Sequence, residues 1–235
     1  MPTFAPPHNR ILRVCVTTVA VGRTFPQKAE RLRQSLAQHD PWLTFAPFIN
    51  HYPKGTPVTK ETTYAFKPLA IQQRLNEGYD VVLWLDSAFV ATTSVTPMIA
   101  IAKRNGHMVL NDGMHMHRWS TDRQLHAFGL SRRQAENVVI PLAGVCAFSA
   151  RKGSALLQEW VNHIDLFRGS RTNRNNECSE DNVCRGSRHD QTVLGLIMRR
   201  AGQRYTNLEG MAALTESRHK GLVHHYPTFV SMRNQ

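Results

Sequence analysis

The sequence predicts an α/β fold, Rossmann-like in outline, with a mixed, mostly parallel central sheet flanked by helices in a single domain. Three observations predict it. Val81, Val82, Leu83, Trp84 and Leu85 form a continuous apolar run that stops at Asp86, as expected of a central strand covered on both faces. Strand-like and helix-like patterns alternate from one end of the chain to the other. No repeat of about 20 to 50 residues and no long low-complexity segment divides the chain into halves.

The elements follow in order. Residues 1–10, with Pro2, Pro6 and Pro7, read as a flexible tail before a domain spanning 11–235. ILRVCVTTVAVG is a β-branched strand that ends at Gly22. In QKAERLRQSLAQHD, Ala29, Leu32, Leu36 and Ala37 recur at helical spacing before Pro41 stops the helix. WLTFAPFIN is the next strand. KPLAIQQRLNEG is a helix with Pro68 in its first turn and Gly78 at its end. After YDVVLWLDSAF come helix TPMIAIAKRNG, strand HMVLND, two short helical patches within 120–137, strand PLAGVCAFSA, and helices SALLQEWVNHIDLF and HDQTVLGLIMRRAG. The stretch 168–188 is a long basic loop, and loops of that length inside compact domains are usually functional or disordered.

Charge is the unusual feature of the composition. The 235 residues carry 29 Lys plus Arg against 17 Asp plus Glu, a formal charge of +12, and 22 of the cations are arginine, the side chain suited to bidentate phosphate or carboxylate contacts. A polyanionic partner is the expectation. Mean hydropathy is -0.38, and no apolar run approaches the roughly 20 residues of a transmembrane helix. The N-terminal residues lack the basic and apolar regions of a signal peptide, which points to a cytoplasmic location, or the host cytoplasm if the chain is viral. Cys15 and Cys146 lie in apolar strands and read as buried thiols in a reducing compartment; Cys178 and Cys184 share a polar loop and raise a metal or disulfide question. With His189 they would make half a zinc site.

In open α/β sheets ligands bind beyond the carboxyl ends of the strands. Thr17 and Thr18, Asp86 and Ser87, and Asn111 and Asp112 occupy such ends. Asp86 and Ser87 could equally cap a helix or turn. Asp190 could likewise serve only the dipole of the helix it opens. Arg168, Arg171, Arg174, Arg185 and Arg188 crowd the loop just before Asp190, so an anionic acceptor held there would be delivered to it. Glu177, Glu180 and Asp181 share that loop, which leaves a solvated charge run as the alternative. MHMHRW at 114–119 suits a metal, one wet face of a strand, or an acceptor-site wall.

FKPLAIQQRLNEGYDVVLWLDSAF, followed later by PLAGVCAFSA and RHDQTVLGLI, resembles the GT-A type nucleotide-sugar glycosyltransferases. In size and charge the chain also resembles phage-type DNA glycosyltransferases. The resemblance implies a GT-A-like domain and a UDP-sugar donor, UDP-glucose first. It places Thr17, Thr18, Lys67, Asp86, Ser87 and Gly144 at the donor, and Asp190 and Gln191 beside the donor sugar and the acceptor hydroxyl. The family signature is commonly Asp-x-Asp, whose carboxylates hold Mn²⁺ or Mg²⁺ against the diphosphate; here it is Asp86-Ser87-Ala88, without the second carboxylate. Asp86 with His224 or His225 could then hold a divalent cation, as transferases resembling glycogenin use a C-terminal histidine. Lys67 or Arg23 would carry more leaving-group charge if metal is weak.

The resulting expectation is hexose transfer, with retention of configuration, to a 5-hydroxymethylpyrimidine in DNA, the five loop arginines contacting nucleic acid. Two alternatives stand beside it: a lipopolysaccharide, glycan or protein acceptor, and a non-catalytic nucleic-acid-binding protein on a degenerate transferase fold. Oligomeric state is not readable from the sequence.

Overall fold

The computed structural model describes residues 11–57, 62–169, 177–179 and 182–206, and the backbone of three short strands within 213–231. The expected tail at 1–10 lies outside the described residues.

In chain order the elements are β1 (Val14–Thr17), β2 (Val19–Ala20), α1 (Phe25–His39), β3 (Thr44–Phe45), β4 (Phe48–Ile49), α2 (Phe66–Asn76), β5 (Val81–Leu85), β6 (Phe89–Ala91), α3 (Thr96–Asn105), β7 (His107–His115), α4 (Asp122–Ala127), β8 (Val139–Ser149), α5 (Ser154–Asn162), α6 (Asp190–Arg200), β9 (Ala213–Glu216), β10 (Val223–Tyr226) and β11 (Phe229–Ser231). The central sheet has the order β3-β1-β5-β8-β7. β1 pairs in parallel with β3 and β5, whereas β8 is antiparallel to both β5 and β7. All the strands but β8 therefore run one way, the mixed, mostly parallel sheet that the alternation of elements predicts.

Side-chain alternation divides the core. Cys15, Val82, Trp84, Cys146 and Phe148 face α2, α5 and α6, packing on Ile71, Leu157, Trp160 and Leu194. Val14, Val16, Val81, Leu83, Leu85 and Val145 point the other way, onto Leu32 and Leu36 of α1 and Met98 and Ile99 of α3. Successive strand residues point to opposite faces, so a strand apolar at every position must be covered twice.

The structure divides two of the expected strands. The 11–22 run breaks after Thr17: β1 stays in the central sheet, and β2 pairs with β4. WLTFAPFIN breaks at Pro47, which has no N–H to give a ladder. Ala46 N donates to Val16 O at 2.8 Å and Phe48 N to Thr18 O at 2.8 Å, so the two divided segments bend together. Pro141 stands inside β8 near the middle of the sheet, where a proline is usually excluded. It is tolerated because β5 pairs with β8 only as far as Leu85 opposite Val145, and the β7–β8 register shifts beside it.

Helix ends follow the sequence. Gly78 after α2 and Gly106 after α3 have φ of 89° and 96°, conformations that favour glycine at a helix stop. Among the described residues no helix is long and apolar enough to cross a membrane.

Candidate active site

The site starts with Lys67. Phe66 opens α2 and Pro68 fits its first turn, which points the Lys67 side chain under the carboxyl end of β5 rather than into solvent. Only 3% of Lys67 is exposed. Its ammonium donates to Asp190 Oδ2 at 2.7 Å and to Ala143 O at 2.8 Å, and lies 3.5 Å from Asp86 Oδ1. The rings of Tyr64 and Trp84 sit 5.4 and 5.6 Å from Nζ and supply their π faces to the same cation. Burial by itself would push this lysine towards neutrality, but the charges of Asp190 and Asp86 and the hydrogen bond to Asp190 outweigh it. Its pKa ends above the ordinary lysine value. Lys67 is thus a permanent internal counter-ion for both carboxylates.

Asp86 follows the last residue of β5. Its backbone N–H donates to Gly144 O at 2.9 Å, and its Oδ1 accepts the Trp84 indole N–H at 2.9 Å. Trp84 and Asp86 are two residues apart along the strand direction, so both point to the same face. Gly144 is the residue across the sheet. A Cβ there would stand 3.1 Å from the Phe89 ring and 3.3 Å from Asp86 Oδ2, so the missing side chain makes room for the carboxylate itself. That close approach, not a bulge, explains the glycine.

Asp190 is the first residue of α6, and His189 before it has φ 52°, a backbone conformation that costs energy for a residue with a Cβ. The strain is held in place: His189 N donates to Ser187 Oγ at 2.9 Å, and its ring Nδ1 lies 3.0 Å from Phe167 O. The turn aims Asp190, 2% exposed, at Lys67. Next to it the Gln191 carboxamide is oriented on both sides. Its Nε2 donates to Pro141 O at 3.0 Å and Asp112 Oδ2 at 3.3 Å, and its Oε1 accepts from Arg188 Nε at 3.2 Å. The Arg188 guanidinium also stacks on Trp119, 5.6 Å from the ring centre.

Tyr64, Lys67, Asp86, Gly144, Arg188, Asp190 and Gln191 line one small cleft at this end of the sheet. Residues separated by more than a hundred positions meet there. Other expected site residues lie elsewhere. Thr17 and Thr18 are fully buried and do not line the cleft; Thr17 Oγ1 donates to Ala46 O at 2.7 Å, which ties β1 to the turn before β4. Ser87 is buried beside Asp86. Arg23 is exposed in the loop before α1. Of the loop arginines, Arg188 is in the cleft, Arg185 is anchored by its backbone N–H to Arg118 O at 2.7 Å, and Arg168 follows the turn at 164–167. Arg171 and Arg174 lie outside the described residues. Sequence reading missed two members of the cluster: Trp84, which strand period alone could have linked to Asp86, and Tyr64, for which no sequence signal existed; Asp112, read as a strand-end residue, lies within β7 and accepts from the Gln191 amide.

Cys178 and Cys184 are joined in a disulfide, which uses both sulfurs and removes the half zinc site; Cys15 and Cys146 are free buried thiols, as expected. Burial raises Cys15 to about 12 and holds both thiols in the unreactive form.

The donor set for a divalent ion is thin. Ala88 stands where a second carboxylate would be, one oxygen of Asp86 takes the Trp84 N–H and faces Lys67, and among the described residues no three His, Cys, Asp or Glu form a cluster. β10 carries His224 opposite Thr215 and His225 opposite Leu214 of β9, and their side chains lie outside the description. β11 pairs with β6, Ser231 opposite Phe89, which brings that strand beside the segment that follows Asp86.

No family model matches the sequence, and no curated protein matches it. Solved structures match in fold. Mouse xyloside xylosyltransferase 1, in its apo form, has a TM-score of 0.50 at 10% identity, covering 88% of this chain and 89% of that one. The bifunctional glycosyltransferase WbbM gives 0.48 at 11% identity, and a glycosyltransferase involved in glycosylation of the major capsid of PBCV-1 gives 0.42 at 12%. This chain spans 41% and 66% of those two proteins and covers 90% and 64% of its own length in doing so. The chain thus has a glycosyltransferase-type fold, shared with the mouse enzyme over nearly the whole of both.

Proposed function

We propose that this chain is a glycosyltransferase that moves a hexose from a nucleotide diphosphate sugar, UDP-glucose first, to the hydroxyl of a 5-hydroxymethylpyrimidine in DNA. The observation that carries the transferase reading is the Asp86–Lys67–Asp190 cluster, in which buried Lys67 Nζ lies 2.7 Å from buried Asp190 and 3.5 Å from half-buried Asp86, opening to a cleft at the carboxyl end of β5. A structural salt bridge needs one carboxylate. The second stands at a strand end beside Gly144 and lines the cleft, where ligands of open α/β sheets bind.

In the reaction the bond from anomeric carbon to diphosphate breaks and its electron pair leaves on phosphate. The acceptor oxygen bonds to the carbon and gives up its proton. Asp190, which accepts a hydrogen bond from Lys67, could orient sugar hydroxyls or take that proton. Gln191, fixed by Asp112 and Pro141, presents its amide beside it. Retention of configuration belongs to the proposal on resemblance. Were a divalent ion, Mn²⁺ or Mg²⁺, to take part, Asp86 with His224 or His225 would be its protein ligands, and it would supply positive charge to the departing phosphate. An EDTA titration of wild type and Asp86→Ala tests that part: full wild-type activity in chelator leaves the two histidines without the role.

The +12 charge and the arginines at 168–188 support a DNA acceptor, because phosphate contacts supply affinity and position. The test is incubation with UDP-glucose and DNA containing 5-hydroxymethylcytosine or 5-hydroxymethyluracil, followed by mass analysis of the nucleosides. A nucleoside heavier by one hexose is expected. No such product with any of several sugar donors overturns the DNA acceptor, and transfer to a glycan or lipid instead keeps the transferase and moves the acceptor.

A further inference from the structure

We propose that the amino end of β7 carries a second site, a basic groove that grips the phosphate backbone of double-stranded nucleic acid away from the cleft. The site uses none of the cleft residues, so it goes beyond the transferase reading and does not depend on it.

The fold gathers cations there from three separate segments. Lys103 and Arg104 end α3, Arg151 and Lys152 follow the carboxyl end of the antiparallel strand β8, and Arg199 and Arg200 end α6, with Arg204 in the loop that returns to β7. All seven are exposed. Backbone and side-chain contacts hold the segments together. Lys152 Nζ donates to Arg104 O at 2.9 Å, Ser149 N to Gly106 O at 2.8 Å, and the His107 ring Nε2 lies 3.3 Å from Arg204 O. Among them lies the groove of about 740 Å³, with Lys152, Arg200, Asn105 and Gln203 in its lining.

The opposing charge is smaller. Glu159 pairs with Arg200, and Asp80 borders the patch through Ala150, whose N–H donates to Asp80 O at 2.9 Å. The carboxyl ends of α3 and α6 add about half a negative charge each. About three negative charges thus face the seven cations, a surplus of about four on one face. Among the described residues, the side chains of Lys103, Arg151, Arg199 and Arg204 take part in no hydrogen bond or ion pair, so their charge is not spent inside the fold.

The form of the site selects among polyanions. Its lining is concave and holds no Phe, Tyr or Trp, and the exposed large apolar side chains, among them Phe25, Trp42 and Tyr52, do not belong to it. Bilayer surfaces are gripped by cations with apolar side chains inserted beside them, and single strands by stacking on aromatic rings. Guanidinium, ammonium and the amides of Asn105 and Gln203, with neither of those aids, fit the phosphates of a duplex. From Gly144 at the cleft to Ser149 at the patch, β8 runs about 17 Å at roughly 3.3 Å per residue. Duplex DNA is stiff over about 50 nm, so the stretch held here is not the stretch that enters the cleft. The groove keeps the protein on nucleic acid and reads no sequence.

The test measures, over a salt series, binding of an unmodified duplex of about 20 base pairs, of the single strand, and of vesicles of phosphatidylcholine with phosphatidylserine. The proteins are wild type, the triple variant Arg151→Gln, Arg199→Gln, Arg204→Gln, the same three positions changed to Lys, and the triple variant Lys28→Gln, Arg33→Gln, Lys54→Gln, which removes equal charge on α1 and after β4. Circular dichroism of each variant confirms folding. The first triple should weaken duplex binding at least about tenfold at physiological salt and lower the slope of log affinity against log salt by about 2–3. The lysine triple should stay within about threefold of wild type, and the triple on α1 and after β4 should keep the wild-type slope to within about 1. A wild-type slope in the first triple overturns the inference, as does an equal loss in the triple on α1 and after β4. A wild type that binds vesicles or single strands more tightly than the duplex, or binds no duplex, overturns it too. None of these outcomes touches hexose transfer at the cleft, which product formation reads separately.

Discussion

Two concave regions lie at opposite ends of the central sheet. The larger, about 740 Å³, is lined by His107, Lys152, Glu159, His163, Arg200 and Gln203 near the amino end of β7; the smaller holds the Lys67 cluster at the carboxyl end of β5. Their ion pairs differ in kind. The side chains of Glu159 and Arg200 are each 46% exposed, so water and salt share their charge; those of Lys67 and Asp190 are each 4% exposed and depend on one another. Our proposal therefore places the chemistry not by volume but by a charge taken out of water at a cost and held by strained backbone at His189.

The largest effect that tests this comparison is at Lys67. Replacing Lys67 with Met leaves two carboxylates without their counter-ion and should cost about 3–5 kcal/mol of stability, read from urea midpoints. Because the folded pKa lies above the ordinary lysine value, the contribution is complete below about pH 10.4 and is lost only as pH rises through the folded value. The difference between wild type and variant should therefore be flat across neutral pH; a difference that shrinks between pH 7 and 9 would contradict a permanently charged Lys67.

Gly144→Ala comes next. The new Cβ meets Phe89 and Asp86 Oδ2, so stability should fall by about 1–3 kcal/mol, with kcat reduced further than that loss explains. Unchanged kcat would mean that Asp86 does not act from this position.

A smaller effect is expected where the arginine loop meets the body. Asp122 accepts Ser179 N at 2.6 Å and pairs with Arg132. Burial would raise its pKa, but the hydrogen bonds from Arg132 and Ser179 outweigh it and hold the carboxyl below the ordinary aspartate value. A lowered folded pKa stabilises above about pH 3.9 and the benefit is lost as pH falls through the folded value. Urea midpoints of wild type should thus decline more steeply on acidification than those of Asp122→Asn; parallel declines would remove Asp122 as the anchor.

The smallest change belongs to the larger groove. Glu159→Gln should shift stability by no more than about 1 kcal/mol and leave transfer intact. A large loss of transfer would place chemistry at that end of the sheet.

What was legible in the sequence follows from which signals are local. Val81–Leu85 carried its strand because a strand buried on both faces is apolar at every position, and Pro68, Gly78 and Gly106 marked helix ends by backbone chemistry. The breaks at Thr18 and Pro47 were not legible, since they come from which neighbour each half pairs with. Asp86 was singled out because it ends a strand at the sheet border, whereas Asp190 and Gln191 were singled out by resemblance; the structure brings the three to one cleft. Lys67 was read as a group that meets the leaving phosphate; its distances to Asp86 and Asp190 are tertiary facts. Thr17 was read as a donor contact because it ends a strand, yet the bend of β3 and β4 closes over it.

The central claim is that the cluster around Lys67 performs hexosyl transfer, and the most direct measurement is product formation by wild type and Asp190→Asn under identical conditions, with folding of the variant verified. The account predicts a hexose-bearing nucleoside from the wild type and a loss of at least about 100-fold in rate for the folded variant. Equal rates from the two proteins would contradict it.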